Sequence, residues 1–407
     1  LTSFVLSCFF YLVLFFCSPF IANIYNNQEL VSVIRIMGIS LIISSIKNIQ
    51  HAYVSREMQF KKFFYSTMFG TVISAVVGIA MAINNYGVWA LVAQTLTKSV
   101  VDMLVLSITI DLKIQIIFSK KSFKRLFPYG FKLMITNFLG NLFNQFKNFI
   151  IGTKYTSTDL AYSTKGEQIP NVVVSNINSS IESVLFSSIS KLNNNLDVMK
   201  MAVRKALKIT TFIIMPLMFG VVACAQNIVE VLYTNKWKEI IPYLQILSFQ
   251  NAFSIIGSMN LQVINARGRS DISLKLEFIK KPIFLIFILF GMKFGPFYIV
   301  LANVLYSFVG STINAIPNKK LLNYSIKEQI IDITPNLFSS IIMLLVVMLI
   351  GNILSINKIF VLLIQIILGG LIYLGIQRLL NNESLYFIIN YVKVFLNNYI
   401  LRKKKNN

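Results

Sequence analysis

Charged side chains stand inside stretches of sequence that are otherwise apolar. Lys147, Lys165 and Arg35 are cations of this kind, and Glu167 and Glu182 are acids in the segment that also holds Lys165. A charge at the centre of a membrane costs at least about 2.5–3.5 kcal/mol on insertion scales, so a charge retained there predicts a binding site or an ion pathway. The cations would attract an anion. The glutamates could bind a coupling proton or cation, or they could pair with a lysine.

Asparagines recur at helical spacing before the segment that holds Lys165. Asn137, Asn141, Asn144 and Asn148 would share one face of a helix. That face could line a cavity, or it could form hydrogen bonds between helices, as polar residues also do in membranes. Asn171 adds an amide to the following segment.

Long apolar segments must position these side chains. The chain is 56% hydrophobic and 13% charged, whereas soluble domains carry about 25% charged residues. A helix needs about 20 apolar residues to cross the hydrocarbon core. On that length the sequence predicts twelve crossings, at residues 2–24, 30–53, 63–84, 87–110, 128–152, 160–188, 207–233, 241–266, 276–293, 296–316, 334–354 and 358–380. We therefore predict an all-α, polytopic inner-membrane helical bundle.

Basic loops alternate with nearly uncharged loops along the chain. Cytoplasmic loops keep Lys and Arg, whereas translocated loops lack them. The basic stretches 111–127 and 191–206 can share one side only if an even number of crossings separates them, so the polar segment 160–188 is kept as a span. A polar helix persists in a bilayer when it faces protein or a water-filled cavity, and this segment is therefore the first candidate for a cavity wall.

The same rule places the C-terminus in the cytoplasm. The chain after Arg378 alternates apolar and polar residues and ends in the basic run Arg402 to Lys405. We interpret this tail as an amphipathic helix on the cytoplasmic membrane surface. The net charge of +23 agrees with this bias and with attraction to anionic lipids, and nucleic-acid binding is not predicted because the sequence has no RNA-binding motif.

Cysteine and histidine usage predicts neither a disulfide framework nor a metal site, and no cofactor is expected. Cys8, Cys17 and Cys224 show no CxxC spacing, and His51 is the single histidine, whereas a metal site would need several such ligands. A polytopic enzyme would need a large loop or a clustered acid–base site. The sequence therefore favours a protein that is not an enzyme.

Four segments resemble the polysaccharide flippase family, the Wzx-like, teichuronic-acid and colanic-acid type exporters of the multidrug/oligosaccharidyl-lipid/polysaccharide superfamily. They are SREMQFKKFFYSTMFGTVISAVVGIAMAINNYGVWALVAQTL (55–96), LFPYGFKLMITNFLGNLFNQFKNFIIG (126–152), LYTNKWKEIIPYLQILSF (232–249) and NARGRSDISLKLEFIKK (265–281). The first contains an Arg-Glu-x-x-Phe turn at Arg56 and a Tyr-Gly-Val-Trp-Ala turn at Tyr86. The ordered set covers nearly the whole chain.

This resemblance implies a fold of fourteen helices in two pseudo-symmetric lobes around a central cavity, of which this sequence would lack about the first two helices. The domains expected on that basis are an N-terminal lobe at 1–110, a cytoplasmic linker at 111–127, a C-terminal lobe at 128–316, and two extra spans with the basic tail at 317–407.

The resemblance also implies a function. Such proteins move an undecaprenyl-pyrophosphate-linked saccharide from the cytoplasmic to the outer leaflet by alternating access, among membrane lipids and with a polysaccharide polymerase as a possible partner. A pyrophosphate needs cations, and a saccharide needs a polar lining. The expected substrate-binding residues are Lys165, Lys147, Asn137, Asn141, Asn144, Arg35 and Asn171, and the expected coupling-ion residues are Glu167 and Glu182.

A charged turn follows the eighth predicted span. Arg267, Arg269 and Lys280 could collect headgroups at a cytoplasmic rim, or they could simply anchor the turn on the positive side of the membrane. In the first lobe, Lys47 and Lys98 are expected near cytoplasmic helix ends, where lysines extend their ammonium groups towards water.

Three alternatives remain open at this point. A multidrug or cation antiporter of the same fold would favour acidic residues in the cavity, whereas basic and amide residues outnumber acids here. A membrane-embedded polysaccharide-assembly enzyme would need the catalytic cluster that the sequence lacks. A purely structural role would follow if the missing start were missing from the protein itself.

Overall fold

The computed structural model describes residues 2–57, 59–110, 120, 124, 127, 138, 141–143, 145–191, 196–354, 356–390 and 393. The chain divides into two compact units, residues 1–140 and 141–407. Within the described residues all regular secondary structure is helical and no strand occurs. The predicted all-α class is confirmed, whereas the predicted lobe boundaries stay a prediction.

The first unit consists, in its described part, of five helices. These are α1 (Thr2–Ile24), α2 (Glu29–Met37), α3 (Ile39–Arg56), α4 (Phe60–Ile83) and α5 (Val88–Thr109). Gly38 separates α2 from α3 where α1 comes close, because a Cβ atom on Gly38 would lie 2.9 Å from Cδ2 of Tyr11.

Small residues bring α4 against α5. Ser66, Gly70, Ser74 and Gly78 are buried and recur every four residues, so they form one stripe along α4. A Cβ atom on Gly78 would lie 3.1 Å from the side chain of Gln94 on α5. Close backbone approach through such stripes is a main source of helix association in membranes, where lipid removes most of the hydrophobic driving force.

The second unit contains the longer helices. They are α6 (145–154), α7 (Ser157–Lys191), α8 (Leu196–Leu232), α9 (Ile240–Ala266), α10 (Ser270–Gly291), α11 (Pro296–Ala315), α12 (Asn318–Leu322), α13 (Ile326–Ile353), α14 (Lys358–Leu379) and α15 (383–390). A 3₁₀ turn, Asn235–Trp237, precedes α9.

Helix α9 is the centre of this unit, since α7, α8, α10 and α11 all pack against it. Met215, Met218 and Ile255 belong to a buried apolar cluster on the side of α8 and α13. Gly166 of α7 permits a close crossing on the other side, because its Cβ atom would lie 2.7 Å from Cβ of Tyr243. These contacts hold the helices at fixed rotations, which decides which polar side chains face inward.

Helix α8 begins earlier than the sequence predicts. The stretch 191–206 was expected to be a loop, yet α8 starts at Leu196 and buries Met199 and Val203 one turn apart. Its basic residues are held by acids of α13: Arg204 donates two hydrogen bonds of 2.7 Å to the carboxylate of Asp332. From Leu196 onward the basic stretch is therefore an extension of a membrane helix rather than a connection.

Nine helices among the described residues are long and apolar enough to cross a membrane. They are Ser3–Ile24, Glu29–Val54, Lys61–Ile83, Val88–Thr109, Leu196–Leu232, Ile240–Ala266, Pro296–Leu322, Ile326–Ile353 and Lys358–Leu379. The predicted spans 160–188 and 276–293 are helical but more polar, and most of 128–152 lies outside the described residues. The count of twelve stays a prediction.

Candidate functional site

A polar cavity of about 830 Å³ lies within the second unit, where α6, α7, α9, α10 and α11 meet. Its size falls in the range of about 300–1,000 Å³ that is usual for ligand sites. The lining is formed by Phe143, Gln145, Lys147, Asn148, Glu167, Asn171, Gln250, Ser254, Gly257, Ser258, Leu261, Lys280, Lys281, Phe284, Asn303, Tyr306, Ser307, Gly310, Ser311 and Asn314.

Lysines give this cavity its cationic character, and each is held by an acid. Lys147 is 3% exposed, and its Nζ donates to Oε2 of Glu167 at 2.9 Å. Lys280 is buried and pairs with Oε1 of Glu277, while Nζ of Lys281 lies 3.2 Å from the other oxygen of that carboxylate. The three lysines and the two glutamates together give one net positive charge around the cavity.

Amide oxygens in the cavity wall lack hydrogen bonds. Oδ1 of Asn148, Oε1 of Gln250 and Oδ1 of Asn314 are buried and find no partner within the described part of the chain. A buried acceptor without a partner costs about 1–3 kcal/mol, so such atoms are suited to accept a hydrogen bond from a ligand hydroxyl. The amide nitrogen of Asn314 is already engaged, since it donates to the carbonyl oxygen of Gly257 at 3.2 Å.

Aromatic rings and a glycine shape the rest of the wall. Tyr306 packs edge-on against Phe284, with ring centroids 5.0 Å apart. Nζ of Lys281 lies 4.7 Å from the ring centroid of Phe143, a cation–π contact. Gly310 of α11 lies beside Lys280, because a Cβ atom there would be in van der Waals contact with Cδ of that lysine, at 3.6 Å.

The structure brings several of the predicted site residues together. Lys147, Glu167, Asn171 and Lys280 all line the cavity. Lys280 was expected at a cytoplasmic rim, but its helix turns it inward beside the same cavity as Lys147. Lys165 is exposed in a smaller neighbouring recess of about 340 Å³, which shares Glu167 and Asn171 with the cavity.

Other predicted residues lie elsewhere or beyond what is described. The side chains of Asn137, Asn144 and Glu182 are outside the described residues, and Asn141 is exposed. In the first unit, the guanidinium carbon of Arg35 lies 4.2 Å above the ring of Phe15 on α1.

The predicted rim arginines occupy the turn between α9 and α10. Arg267 follows the last residue of α9, where its backbone N–H bonds the carbonyl of Val263. Arg269 donates two hydrogen bonds of 2.9 Å to Asp271. These bonds lower the pKa of the Asp271 carboxyl to about 2. The turn is thus closed by its own ion pair.

Sequence reasoning missed part of the site. Asn303, Tyr306 and Asn314 on α11 line the cavity. The α11 residues stand at intervals of three, eight and eleven, which is helical spacing and was a usable signal. Sequence reasoning also missed Asp102, which is 4% exposed within the apolar helix α5.

The described helices and the polar cavity define a class, the multi-pass α-helical membrane proteins with an internal polar site. A family model described as "Polysaccharide biosynthesis protein" matches residues 1–242. The chain belongs to this family, as its resemblance to the Wzx-like polysaccharide flippases predicted.

Two relatives of the chain are named for their functions. The chain is 22% identical over 265 residues to the teichuronic acid biosynthesis protein TuaB of Bacillus subtilis, covering 65% of the chain and 55% of the relative. It is 24% identical over 236 residues to the succinoglycan biosynthesis transport protein ExoT of Rhizobium meliloti, covering 57% and 47%. The chain thus spans about half the length of these relatives.

A solved structure shares the fold. The lipid II flippase MurJ, in an inward closed conformation, superposes with a TM-score of 0.73 at 20% sequence identity, over 92% of this chain and 81% of that chain. At this identity the likeness concerns the fold alone.

Proposed function

We propose that this protein is a flippase that moves a lipid-linked saccharide from the cytoplasmic to the outer leaflet of the cell membrane. The observation that carries the proposal is the cavity of about 830 Å³ in the second unit, which combines inward lysines with unpartnered amide oxygens. A lipid-linked saccharide presents diphosphate and hydroxyl groups to such a site. The names of TuaB, ExoT and MurJ are consistent with this substrate class.

The lysines are suited to a diphosphate. Lys147, Lys280 and Lys281 supply ammonium groups, whose hydrogen bonds to phosphate are charge-assisted and therefore strong. In the substrate-free protein Glu167 pairs with Lys147, and Glu277 is shared by Lys280 and Lys281, so one positive charge remains. An arriving diphosphate replaces the carboxylates at the lysines, and the acids then become free to bind a proton or a cation, as proposed for Glu167.

The amides are suited to the saccharide. Asn148, Gln250 and Asn314 each offer a buried oxygen to a sugar hydroxyl, and Tyr306 offers an aromatic face beside them. The proposed binding set also includes Asn171 and, in the adjoining recess, Lys165. Asn137, Asn141, Asn144 and Arg35 stay proposed members on the sequence argument alone, and so does Glu182 as a coupling residue.

The distribution of basic loops supports an orientation in the inner membrane with the C-terminus in the cytoplasm. In that orientation the turn holding Arg267 and Arg269 faces the cytoplasm, where the substrate is made. We expect a saccharide polymerase to take over the product in the outer leaflet, and we propose no catalytic step for this chain.

The leaflet position of the lipid-linked saccharide tests the proposal. An impermeant glycan-modifying reagent is applied to spheroplasts with and without the gene, and the modified lipid is quantified by mass spectrometry. We expect deletion to trap the saccharide in the inner leaflet, and the gene carrying Lys147→Ala should not release it, whereas the exposed control Lys236→Ala should.

The competing antiporter function predicts a different result. Outer-leaflet saccharide would be unchanged on deletion, while resistance to cationic drugs would fall. That outcome would contradict the flippase proposal, because the cavity lysines would then have no anionic substrate.

A further inference from the structure

An ion pair lies between two apolar helices of the first unit. Nζ of Lys47 on α3 donates to Oδ2 of Asp102 on α5 at 2.7 Å, and the side chains of the two residues are 25% and 6% exposed. Both helices belong to segments that are apolar enough to cross a membrane. Lys47 therefore does not extend to water, as the sequence suggested, but is retained by an acid.

The small-residue stripe of α4 fixes Asp102 in place. A Cβ atom on Gly70 would lie only 2.0 Å from Oδ1 of Asp102, so glycine is needed to admit this carboxylate. One turn earlier, the Ser66 hydroxyl donates to the backbone carbonyl of Asp102 at 3.0 Å. On the other side, the Gln50 side chain donates to Ser107 Oγ at 2.7 Å. The carboxylate is thus the point where α3, α4 and α5 meet.

One oxygen of this carboxylate is unused. Oδ1 of Asp102 is buried and has no hydrogen-bond partner within the residues that the structure describes. A deprotonated carboxylate accepts hydrogen bonds at both oxygens, and burying one of them without a hydrogen-bond donor is unfavourable. A proton on Oδ1 would lower that penalty, because a neutral group costs less to bury than a charged one, and it would at the same time weaken the attraction of Oδ2 for Lys47.

We propose that the pair of Lys47 and Asp102 is a proton-coupling site of the first unit. This inference rests on the proposed flippase function. In each cycle water delivers a proton to Oδ1, the carboxylate becomes a neutral carboxylic acid, and Lys47 remains an ammonium ion without its partner. Lys47 is then free to bind a phosphate oxygen of the substrate, and loss of the proton restores the ion pair and expels the anion.

The other titratable groups near the pair define its surroundings. On α3, His51 lies one turn after Lys47 and stacks on Phe63 of α4, with centroids 4.5 Å apart. On α5, Lys98 lies one turn before Asp102. Helix α2 also packs against α5; it carries Glu29 and Arg35, and Arg35 is bonded to α1. Besides Lys61 and Lys62 at its start, α4 carries one titratable side chain, the exposed Tyr65. His51 is thus the competing proton acceptor, and the test must separate it from Asp102.

Transport in vesicles with an imposed pH difference tests the site. The protein is reconstituted, and a fluorescent short-chain polyisoprenyl diphosphate N-acetylglucosamine is the probe. One proton per cycle is worth about 1.4 kcal/mol per pH unit, a factor of about ten. Because the anion binds with the proton and leaves with it, we expect the wild type to accumulate the probe on the alkaline side, up to about tenfold per pH unit. His51→Gln and the exposed-acid control Glu239→Gln should do the same, and accumulation on the acidic side would contradict the proposed step.

Asp102→Asn should move the probe without responding to the pH difference, whereas the double variant K47Q/D102N, which also loses the ammonium group that binds phosphate, should move less probe and should likewise show no pH response. Asp102→Asn leaves Lys47 unpaired and can fail to fold, so the double variant K47Q/D102N, which keeps an amide hydrogen bond between the helices, is measured beside it. A double variant that still gains about tenfold per pH unit would overturn the proposal. So would a wild type that moves the probe regardless of pH.

A second readout separates this proposal from the proposed function. Infrared difference spectra of the wild type on acidification should show a protonated carboxyl band that Asp102→Asn lacks. Absence of that band in the wild type overturns the proton site. If the band is present but the wild type never moves the probe, the flippase function fails, and Asp102 remains a proton site whose coupling to transport is rejected.

Discussion

Replacing Lys147 by alanine removes the most deeply buried cation of the cavity. Lys147 is 3% exposed and holds Glu167 at 2.9 Å. A hydrogen bond to a charged group contributes about 1.5–3 kcal/mol. Because about 1.4 kcal/mol is tenfold, Lys147→Ala should lower flipping of a diphosphate lipid at subsaturating concentration by about 10- to 150-fold.

The same change also affects folding, and the two effects must be separated. Removing Lys147 leaves Glu167 without its partner. Breaking a fully buried pair costs about 3–5 kcal/mol, but the side chain of Glu167 is 31% exposed, so we expect a loss of unfolding free energy nearer to about 1–3 kcal/mol. The double variant K147A/E167A should regain that stability without regaining transport.

The assay is flipping of a fluorescent diphosphate lipid in reconstituted vesicles, with membrane abundance and thermal midpoint measured for each variant. The exposed Lys165 provides a matched comparison on the next helix, since its Nζ contacts only Gln168, at 3.4 Å, among its described neighbours. Lys165→Ala should reduce flipping less than Lys147→Ala. Equal activity of Lys147→Ala and the wild type, or a larger loss in Lys165→Ala, would refute the reasoning.

Two further predictions follow from packing. Gly310→Leu should fill the cavity next to Lys280 and abolish flipping in a folded protein. The control Gly370→Ala should have no effect, since a Cβ atom there meets nothing within 4 Å. Flipping and monodispersity of the two variants are compared, and activity in Gly310→Leu would show that the substrate does not pass through the cavity. Asp332→Asn should weaken the two hydrogen bonds from Arg204. Because the side chain of Arg204 is 37% exposed, we expect a loss of about 1–3 kcal/mol of unfolding free energy, measured as a fall in thermal midpoint. An unchanged midpoint would mean that this pair does not stabilise the second unit.

The sequence predicted helices better than it predicted their ends. Hydropathy located the membrane segments because their length is set by bilayer thickness. Hydropathy failed at the start of α8, where Leu196 begins a helix within a basic stretch. The charge of Arg204 lowers the mean hydropathy of this stretch, although the same turns of the helix carry a buried apolar stripe. Loop parity, rather than hydropathy, indicated that 160–188 crosses the membrane. The structure has a helix there, α7 (Ser157–Lys191), and its crossing stays a prediction.

The site was predictable in composition but not in arrangement. Lysines and asparagines in apolar segments predicted Lys147 and Asn171 as site residues, and both line one cavity; their binding of substrate stays a prediction. The inward direction of Lys280 depends on the rotation of α10 against α11, which is set by contacts such as that between Gly291 and Tyr298, where a Cβ atom would lie 2.6 Å from a carbonyl oxygen. Packing between two helices of this kind cannot be inferred from the sequence periodicity of either helix alone.

Each inward lysine of the described chain that we assign to transport contacts a carboxylate in the substrate-free protein, although Lys280 and Lys281 share that of Glu277. Lys147 is bonded to Glu167, Lys280 to Glu277, and Lys47 to Asp102. An unpaired ammonium group would be costly in such surroundings, and it would also bind a diphosphate so tightly that release would be slow. A carboxylate that competes for the same lysine lowers the affinity for substrate. The free energy of binding is then only the difference between the lysine–phosphate and the lysine–carboxylate ion pairs. Protonation of that carboxylate then raises the affinity for the anion, and deprotonation lowers it, so a proton gradient can set the side on which the substrate is released.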